Sequence, residues 1–428
     1  MHPRRLAILP GITILCAVAS LGPLQVARAG LNAIEVTTTD DELNVDGDCS
    51  LREAVVAANT NLAVDACPPG VPGTTSGDSD LIQLEPVRYT LAIPGRDEDA
   101  AAIGDLDLTE AFLIRGVRGG SSIDGAGLDR ILDVAAGVAA RIVGVELLGG
   151  DAAAGAGGAI RLRGDCGMLT PQFVAIFDSI MRDSAAAVGG GIYAGPCRQL
   201  DVRTSAFVGN GATETGGGIA IEGMSGIGFE NSTVSGNVAG VAGGGIWASL
   251  EVDPQFTSWR WTTIARNTAP VGAGFWYAGN PLQEVRLSIV ADNEGPDCFG
   301  LTVSLSHNVA DDASCHDEFG IVGHAGLAPL TTFRPDHEPD LGSNFTFVHP
   351  LLPSSSAIDI NSDVNCFGIW PTDQTERSRA VDGNSDGVVA CDAGAFEAPA
   401  GTAPPPAEPQ PSTPGPGSGL PDTALPRP

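Results

Sequence analysis

Gly189-Gly190-Gly191-Ile192 returns as Gly216-Gly217-Gly218-Ile219 and Gly243-Gly244-Gly245-Ile246, flanked by the looser copies Gly157-Gly158-Ala159-Ile160 and Gly272-Ala273-Gly274-Phe275. A second series runs out of phase with it: Ser179-Ile180-Met181-Arg182-Asp183, Ser205-Ala206-Phe207-Val208-Gly209-Asn210, Ser232-Thr233-Val234-Ser235-Gly236-Asn237, Thr263-Ile264-Ala265-Arg266-Asn267 and Ser288-Ile289-Val290-Ala291-Asp292-Asn293. Copies in both series recur every ~25 to 32 residues, a solenoid spacing. Each unit holds two short apolar segments and a glycine-rich corner. This predicts an all-β parallel β-helix, in which each turn of chain lays its strands on those of the turn before and inward Ile, Val and Phe stack into one core.

The corners explain the composition. Glycine adopts positive φ and lets successive turns approach closely. Asn210, Asn237, Asn267 and Asn293, recurring at one corner, are positioned to ladder their amides along the stack and to pair turn backbone groups. A leucine-rich repeat would show its Leu-x-x-Leu-x-Leu consensus, which is absent. A helical repeat would carry three glycines per unit at about 1 kcal/mol each. Leu81-Ile82-Gln83-Leu84, Tyr89 to Ile93, Phe112 to Gly116 and Ile142 to Leu147 read as earlier, less regular coils, so the repeats are expected over 80–296.

An open end of such a stack is an unpaired β edge that needs a cover. Cys49-Ser50-Leu51-Arg52-Glu53-Ala54 supplies one within residues 30–79: Ser50 and Glu53 have capping-box spacing, and Leu51, Ala54, Val55 and Ala58 form one apolar helical stripe. Residues 1–29 read as a secretory signal, with Arg4 and Arg5, an apolar run and the cleavage site Ala27-Arg28-Ala29. Export implies an extracellular or cell-surface location, disulfide pairing and no transmembrane segment in the mature chain. Eight cysteines remain after cleavage, predicted to pair as neighbours: Cys49 with Cys67, Cys166 with Cys197, Cys298 with Cys315 and Cys366 with Cys391. From 398 onward Pro, Ala, Gly, Ser and Thr dominate, and a disordered tail is expected.

The 428 residues carry 52 acidic and 22 basic side chains, a formal charge of -30, and all the basic residues are arginine. Such a chain repels nucleic-acid phosphates. The absence of lysine removes Schiff-base chemistry and the P-loop signature.

The N-terminal Cys49-Ser50-Leu51-Arg52-Glu53-Ala54, followed by Ala57-Ala58-Asn59, resembles the CSLREA domain. Ser306-His307-Asn308-Val309, Leu327-Ala328-Pro329-Leu330, His349-Pro350-Leu351-Leu352-Pro353, Ser356-Ala357-Ile358-Asp359 and Cys391-Asp392-Ala393-Gly394-Ala395-Phe396-Glu397 resemble the choice-of-anchor Q domain, placed at 297–397. These resemblances imply a right-handed, pectin-lyase-like β-helix in a secreted or surface protein, with no activity attached to named residues.

Three groups of residues are candidates for chemistry. Asp382, Asn384 and Asp386, followed by Gly387, start like a calcium loop, and Asp392 stands near the twelfth position where Ala393 replaces the usual glutamate; a bound Ca2+ is the possible cofactor. Trp247, Trp259, Trp261, Trp276 and Tyr277 bring aromatics onto consecutive coils, a means of contacting sugar rings. Trp259 and Trp261, two apart, are expected on one strand face. For catalysis, Asp311-Asp312 and Gly323-His324-Ala325-Gly326 faintly match a polyuronate hydrolase whose lysine motif is missing. Arg161, Arg163, Arg182, Arg198 and Arg203 are expected as surface partners of nearby acids. The reading is a monomeric structural, adhesive or glycan-contacting protein, its partners extracellular polysaccharides or cell-surface glycans. A polysaccharide lyase or hydrolase on the same scaffold is the alternative.

Overall fold

The computed structural model describes residues 33–403, apart from 74–79, 97, 165–171, 197, 225, 251–255, 280–283, 301–304, 316–319, 334–345 and 363–370. The expected signal sequence, Cys166, Cys197, Cys366 and residues 404–428 of the expected tail lie outside the described residues.

The chain folds as the parallel β-helix that its repeats predict. Among the described residues there is one α-helix, and three long parallel sheets form the solenoid wall. The first sheet has ten strands, from Ala33–Glu35 to Leu305–Ser306; the second has eight, from Leu106–Leu108 to Cys298–Phe299; the third has ten, from Arg88–Thr90 to Gly320–Val322. One coil shows the path. Arg198–Arg203 lies in the first sheet, Ala206–Val208 in the third, Gly211–Thr215 in a short side sheet and Ile219–Glu222 in the second. The chain then re-enters the first sheet at Gly226–Glu230, where Phe229 pairs with Val202 one coil earlier.

Inward side chains stack in columns. Ile142, Ile176, Val202, Phe229, Trp259 and Val285 are register partners along the first sheet. Leu132, Ile160, Ile192, Ile219, Ile246 and Phe275 do the same along the second. All belong to one buried core.

Two corners share one device. At the turn from first to third sheet, Asp178, Thr204, Asn231, Trp261, Leu287 and His307 each take a left-handed φ of 48–61°. The next residue then ladders: Ser179 N donates to Ser205 Oγ and Ser205 N to Ser232 Oγ, both 3.2 Å. At the following corner Asn210 Nδ2 donates to Asn237 Oδ1, Asn237 Nδ2 to Asn267 Oδ1 and Asn267 Nδ2 to Asn293 Oδ1, at 2.9–3.0 Å. The glycine corner has a different cause. Gly216 sits at φ +68°, and a Cβ on Gly217 would lie 2.4 Å from the carbonyl oxygen of Gly244, so neither position admits a side chain.

The N-terminal end is covered by Leu51–Thr60, whose capping box is formed at both Ser50 and Glu53. Cys49 is joined to Cys67, and Cys298 to Cys315. Cys391 is also disulfide-bonded.

Two boundaries shift from the sequence reading. The sheets continue beyond 296 through Cys298–Phe299, Asn308–Ala310 and Gly320–Val322. Residues 398–403 still pack: Ala398 is buried, and Ala403 N donates to Gly383 O at 2.9 Å. The C-terminal segment lies along the outer side of the third sheet, where Ile289 and Val309 share a core with Leu327, Val348, Leu351 and Phe396. Gln374 fastens it, donating to Ser205 O and accepting from Thr233 Oγ1.

Candidate functional site

Strands alternate their side chains between the two faces of a sheet. In the second sheet Ile246, Ala248 and Leu250 point into the core while Trp247 and Ser249 point out; Phe275 and Tyr277 point in while Trp276 points out. The register carries one outward column along the solenoid: Asp107, Asp133, Arg161, Tyr193, Ala220, Trp247, Trp276 and Phe299, each the partner of the next.

The C-terminal part of that column is aromatic. Trp247 and Trp276 have centroids 5.1 Å apart with planes at 10°, and Trp276 and Phe299 are 5.9 Å apart at 7°. Rings in van der Waals contact are separated by ~3.5 Å, so a 5.1 Å centroid distance implies a slip of about 3.7 Å. The rings overlap like shingles, with Trp247 and Trp276 half-buried. Phe299 is 49% exposed.

The other aromatics predicted for this surface are elsewhere. Trp259 is 1% exposed and stacks on Phe229 inside the core, with centroids 4.3 Å apart. Tyr277 is buried beside Phe275. Trp261 does not share a strand face with Trp259: it occupies the left-handed corner at φ 49°, which turns it toward Leu287, Cys391 and the Arg379 guanidinium. Of the five predicted aromatics, the outward column keeps Trp247 and Trp276 and adds Phe299.

The N-terminal part of the column is charged and lies beside a pocket of about 440 Å³ lined by Glu98, Asp99, Arg130, Arg161, Arg163 and Tyr193. Arg52 of the capping helix fixes the chain above it. Its guanidinium, fully buried, pairs with Asp41 and donates to the carbonyl oxygens of Ala101, Gly104 and Asp105. Ala101 N in turn donates to Asp107 Oδ2 at 2.9 Å. Asp133 anchors the arginines: Arg163 reaches both its oxygens at 2.9 and 2.7 Å, and Arg161 pairs with it from the neighbouring strand. Arg130 donates to Asp105 Oδ2 at 2.8 Å, Arg163 also pairs with Asp99, and Tyr193 Oη donates to Glu222 Oε2 at 2.5 Å.

Burial pushes Asp107 up to about 7 and Asp105 up to about 6. Desolvation acts on Asp133 in the same direction, but hydrogen bonds from Arg161 and Arg163 outweigh it and hold the carboxyl below its usual range. Asp107 and Asp133 are only 2% and 1% exposed. They form the floor on which Arg161 and Arg163 are held.

The expected calcium loop is tied up in its own turn. Asp382 accepts from the amides of Asp386 and Gly387, Asn384 from that of Asp386, and Asp386 from that of Val388. Asp392 points inward and accepts from the amides of Asp359 and Ala398. Among the described residues, ligand-like groups come together at three other places: Glu42 with Asp46 and Asp48, Asp99 with Asp107 and Asp133, and Asp297 with Asp312 and the disulfide-bonded Cys315. The structure does not bring Asp382, Asp386 and Asp392 into such a group.

Of the arginines expected at the surface, Arg182 pairs with Glu146 and Arg203 with Asp201. Arg198 departs from this expectation: it is buried and donates to the carbonyl oxygens of Val138 and Ala135. Asp311 accepts from the amides of Asp292 and Ala325, a loop-fixing role.

Sequence reasoning missed Asp107, Arg130, Asp133, Tyr193 and Phe299 as site residues. For part of the column the signal was present. The residue directly after each glycine motif reads Arg161, Tyr193, Ala220, Trp247 and Trp276, which is the outward column itself.

No protein-family model, no curated protein and no solved structure matches this chain.

Proposed function

We propose that this is an exported, cell-surface or extracellular β-helix that contacts glycans through the outward face of its second sheet and does not act on them chemically. The observation that carries the reading is the shingled row Trp247, Trp276 and Phe299. Aromatic faces offer apolar contact to sugar rings, and a wall of fixed strands presents them with little entropy left to lose on binding. The net charge of -30 disfavours nucleic acid and acidic surfaces as partners. Export rests on residues 1–29, and membership of the CSLREA and choice-of-anchor Q group rests on the quoted motifs. No described helix is long and apolar enough to cross a membrane.

The test is retention of the protein lacking residues 1–29 on insoluble polysaccharides, with release of reducing ends assayed in parallel. Retention that Trp276→Ala abolishes, with no product formed, supports the reading; retention unchanged in Trp276→Ala contradicts it.

A second reading, a polysaccharide lyase or hydrolase, is favoured by one observation: adjacent carboxyls with pKa values driven apart, Asp107 upward and Asp133 downward, a pattern found in acid/base pairs. Both are buried beneath Arg161 and Arg163, which supports the non-catalytic reading. Product release abolished by Asp107→Asn would reverse that order.

A further inference from the structure

The aromatic row and the charged pocket occupy one register column. From Arg161 to Phe299 the column has six rungs separated by five strand spacings, or about 24 Å at ~4.8 Å each, with Tyr193 and Ala220 bridging the two halves. Ala220 contributes only a methyl to the column and is itself covered, and the Tyr193 side chain reaches across to Glu222 on the strand of Ala220, so the surface between the two halves is formed by Tyr193 and Trp247. The pocket, at about 440 Å³, is within the usual size of a ligand pocket.

Resting on the glycan reading above, we propose that the ligand is a linear, uncharged glycan chain lying along the solenoid axis, with one end seated among Arg161, Arg163 and Tyr193. The pocket's polar groups are held in place before any ligand arrives: Asp133 grips Arg161 and Arg163, and Glu222 orients the Tyr193 hydroxyl. The side chains of Arg161 and Arg163 remain 27% and 32% exposed, so donors are available at the rim.

Charge decides the ligand's class. Five carboxyls (Glu98, Asp99, Asp105, Asp107 and Asp133) surround three guanidiniums (Arg130, Arg161 and Arg163), so the pocket has no positive excess to attract a uronate or sulfate. Alternating donors and acceptors instead suit sugar hydroxyls, which do both. Direction decides the shape. A chain advancing about one sugar unit per rung would place successive rings against Phe299, Trp276 and Trp247 before its end reaches Tyr193.

The test uses a panel of linear neutral and uronic-acid oligosaccharides from dimer to octamer, titrated against the wild type, Tyr193→Phe, Arg161→Gln and Trp276→Ala. Tyr193→Phe removes one hydroxyl from the solenoid surface and leaves the fold intact, which a melting curve checks. For the wild type, affinity for neutral oligomers should rise with length up to about the 24 Å span of the column and then level off. Tyr193→Phe and Arg161→Gln should weaken the longest neutral oligomers by about tenfold, the scale of one or two hydrogen bonds, and leave the shortest unchanged. If both variants match the wild type at every length while Trp276→Ala loses binding, the extension into the pocket is wrong and the aromatic site stands. A preference for uronates overturns the assignment of an uncharged ligand. Binding of no oligosaccharide by the wild type overturns the glycan reading and this inference together.

Discussion

Trp259 and Trp276 place the same side chain on opposite sides of one wall. Trp259 is sealed in the core against Phe229, and its truncation to alanine should cost about 3–5 kcal/mol, as for large buried aromatics. Trp276 is partly exposed on the outward row, and Trp276→Ala should cost about 1 kcal/mol, typical of single mutations. Urea melts of the two variants check the contrast, and equal losses would place both rings in the core. The outward position of Trp276 was legible in the sequence, because it follows a glycine motif whose phase is fixed by Ile and Phe in the core, although the aromatics were grouped there only by coil. The sequence pattern misplaced Trp261, because an alternation argument assumes a continuous strand, and a single left-handed residue ends the strand at Arg260. Tryptophan has no preference for that conformation; the corner is imposed by the coils above and below, which lies beyond local sequence.

The capping helix shows how an element reaches a site at a distance. Ser50 and Glu53 start the helix, as their spacing predicts, and Leu51, Ala54, Val55 and Ala58 bury its apolar side. Arg52, between them, ties the helix to the chain beside the pocket. Its contacts with Ala101, Gly104 and Asp105 hold the segment that carries Asp99 over the pocket. Arg52→Met should destabilise the protein by about 3–5 kcal/mol, because it leaves Asp41 and buried carbonyls without their partner. Hydrogen exchange should show the amides of 101–107 opening faster in that variant while the coils from 198 onward keep their protection. Exchange unchanged at 101–107 would mean that Arg52 does not hold the segment. The motif containing Arg52 was legible as a cap; its grip on the pocket was not, because the contacted carbonyls are about fifty residues away in sequence.

Across the whole molecule, the C-terminal segment and the solenoid meet through buried polar groups. His349 is an example: Nδ1 contacts the carbonyl oxygen of Ala328 at 2.9 Å and Nε2 contacts Ser235 Oγ at 2.8 Å. A carbonyl only accepts, so Nδ1 carries the proton, and in the neutral ring Nε2 accepts from Ser235. Burial lowers the His349 pKa to about 4, outweighing the hydrogen bond to Ala328, which favours the charged ring. Below its unfolded value near 6.5 the unfolded chain binds a proton that the folded one refuses, so stability is lost as pH falls from about 6.5 to 4, by about 3 kcal/mol in total. His349→Gln, which does not titrate, should flatten that part of the pH profile in denaturant melts; an unchanged slope would remove His349 as the cause. Repeat period, core columns and cap were readable at this scale, since all follow from patterns local to one coil. The pocket was not, because Asp107, Asp133 and Arg161 come from three coils and only their register joins them.

The proposed ligand surface is the outward column of the second sheet. Oxidative footprinting of aromatic side chains, with and without a saturating neutral polysaccharide that retains the protein, measures this most directly. Trp247, Trp276 and Phe299 should be protected together, with Trp259 and Trp261 unreactive in both states. Protection elsewhere on the solenoid, with Trp276 equally reactive in the presence and absence of the polysaccharide, would contradict it.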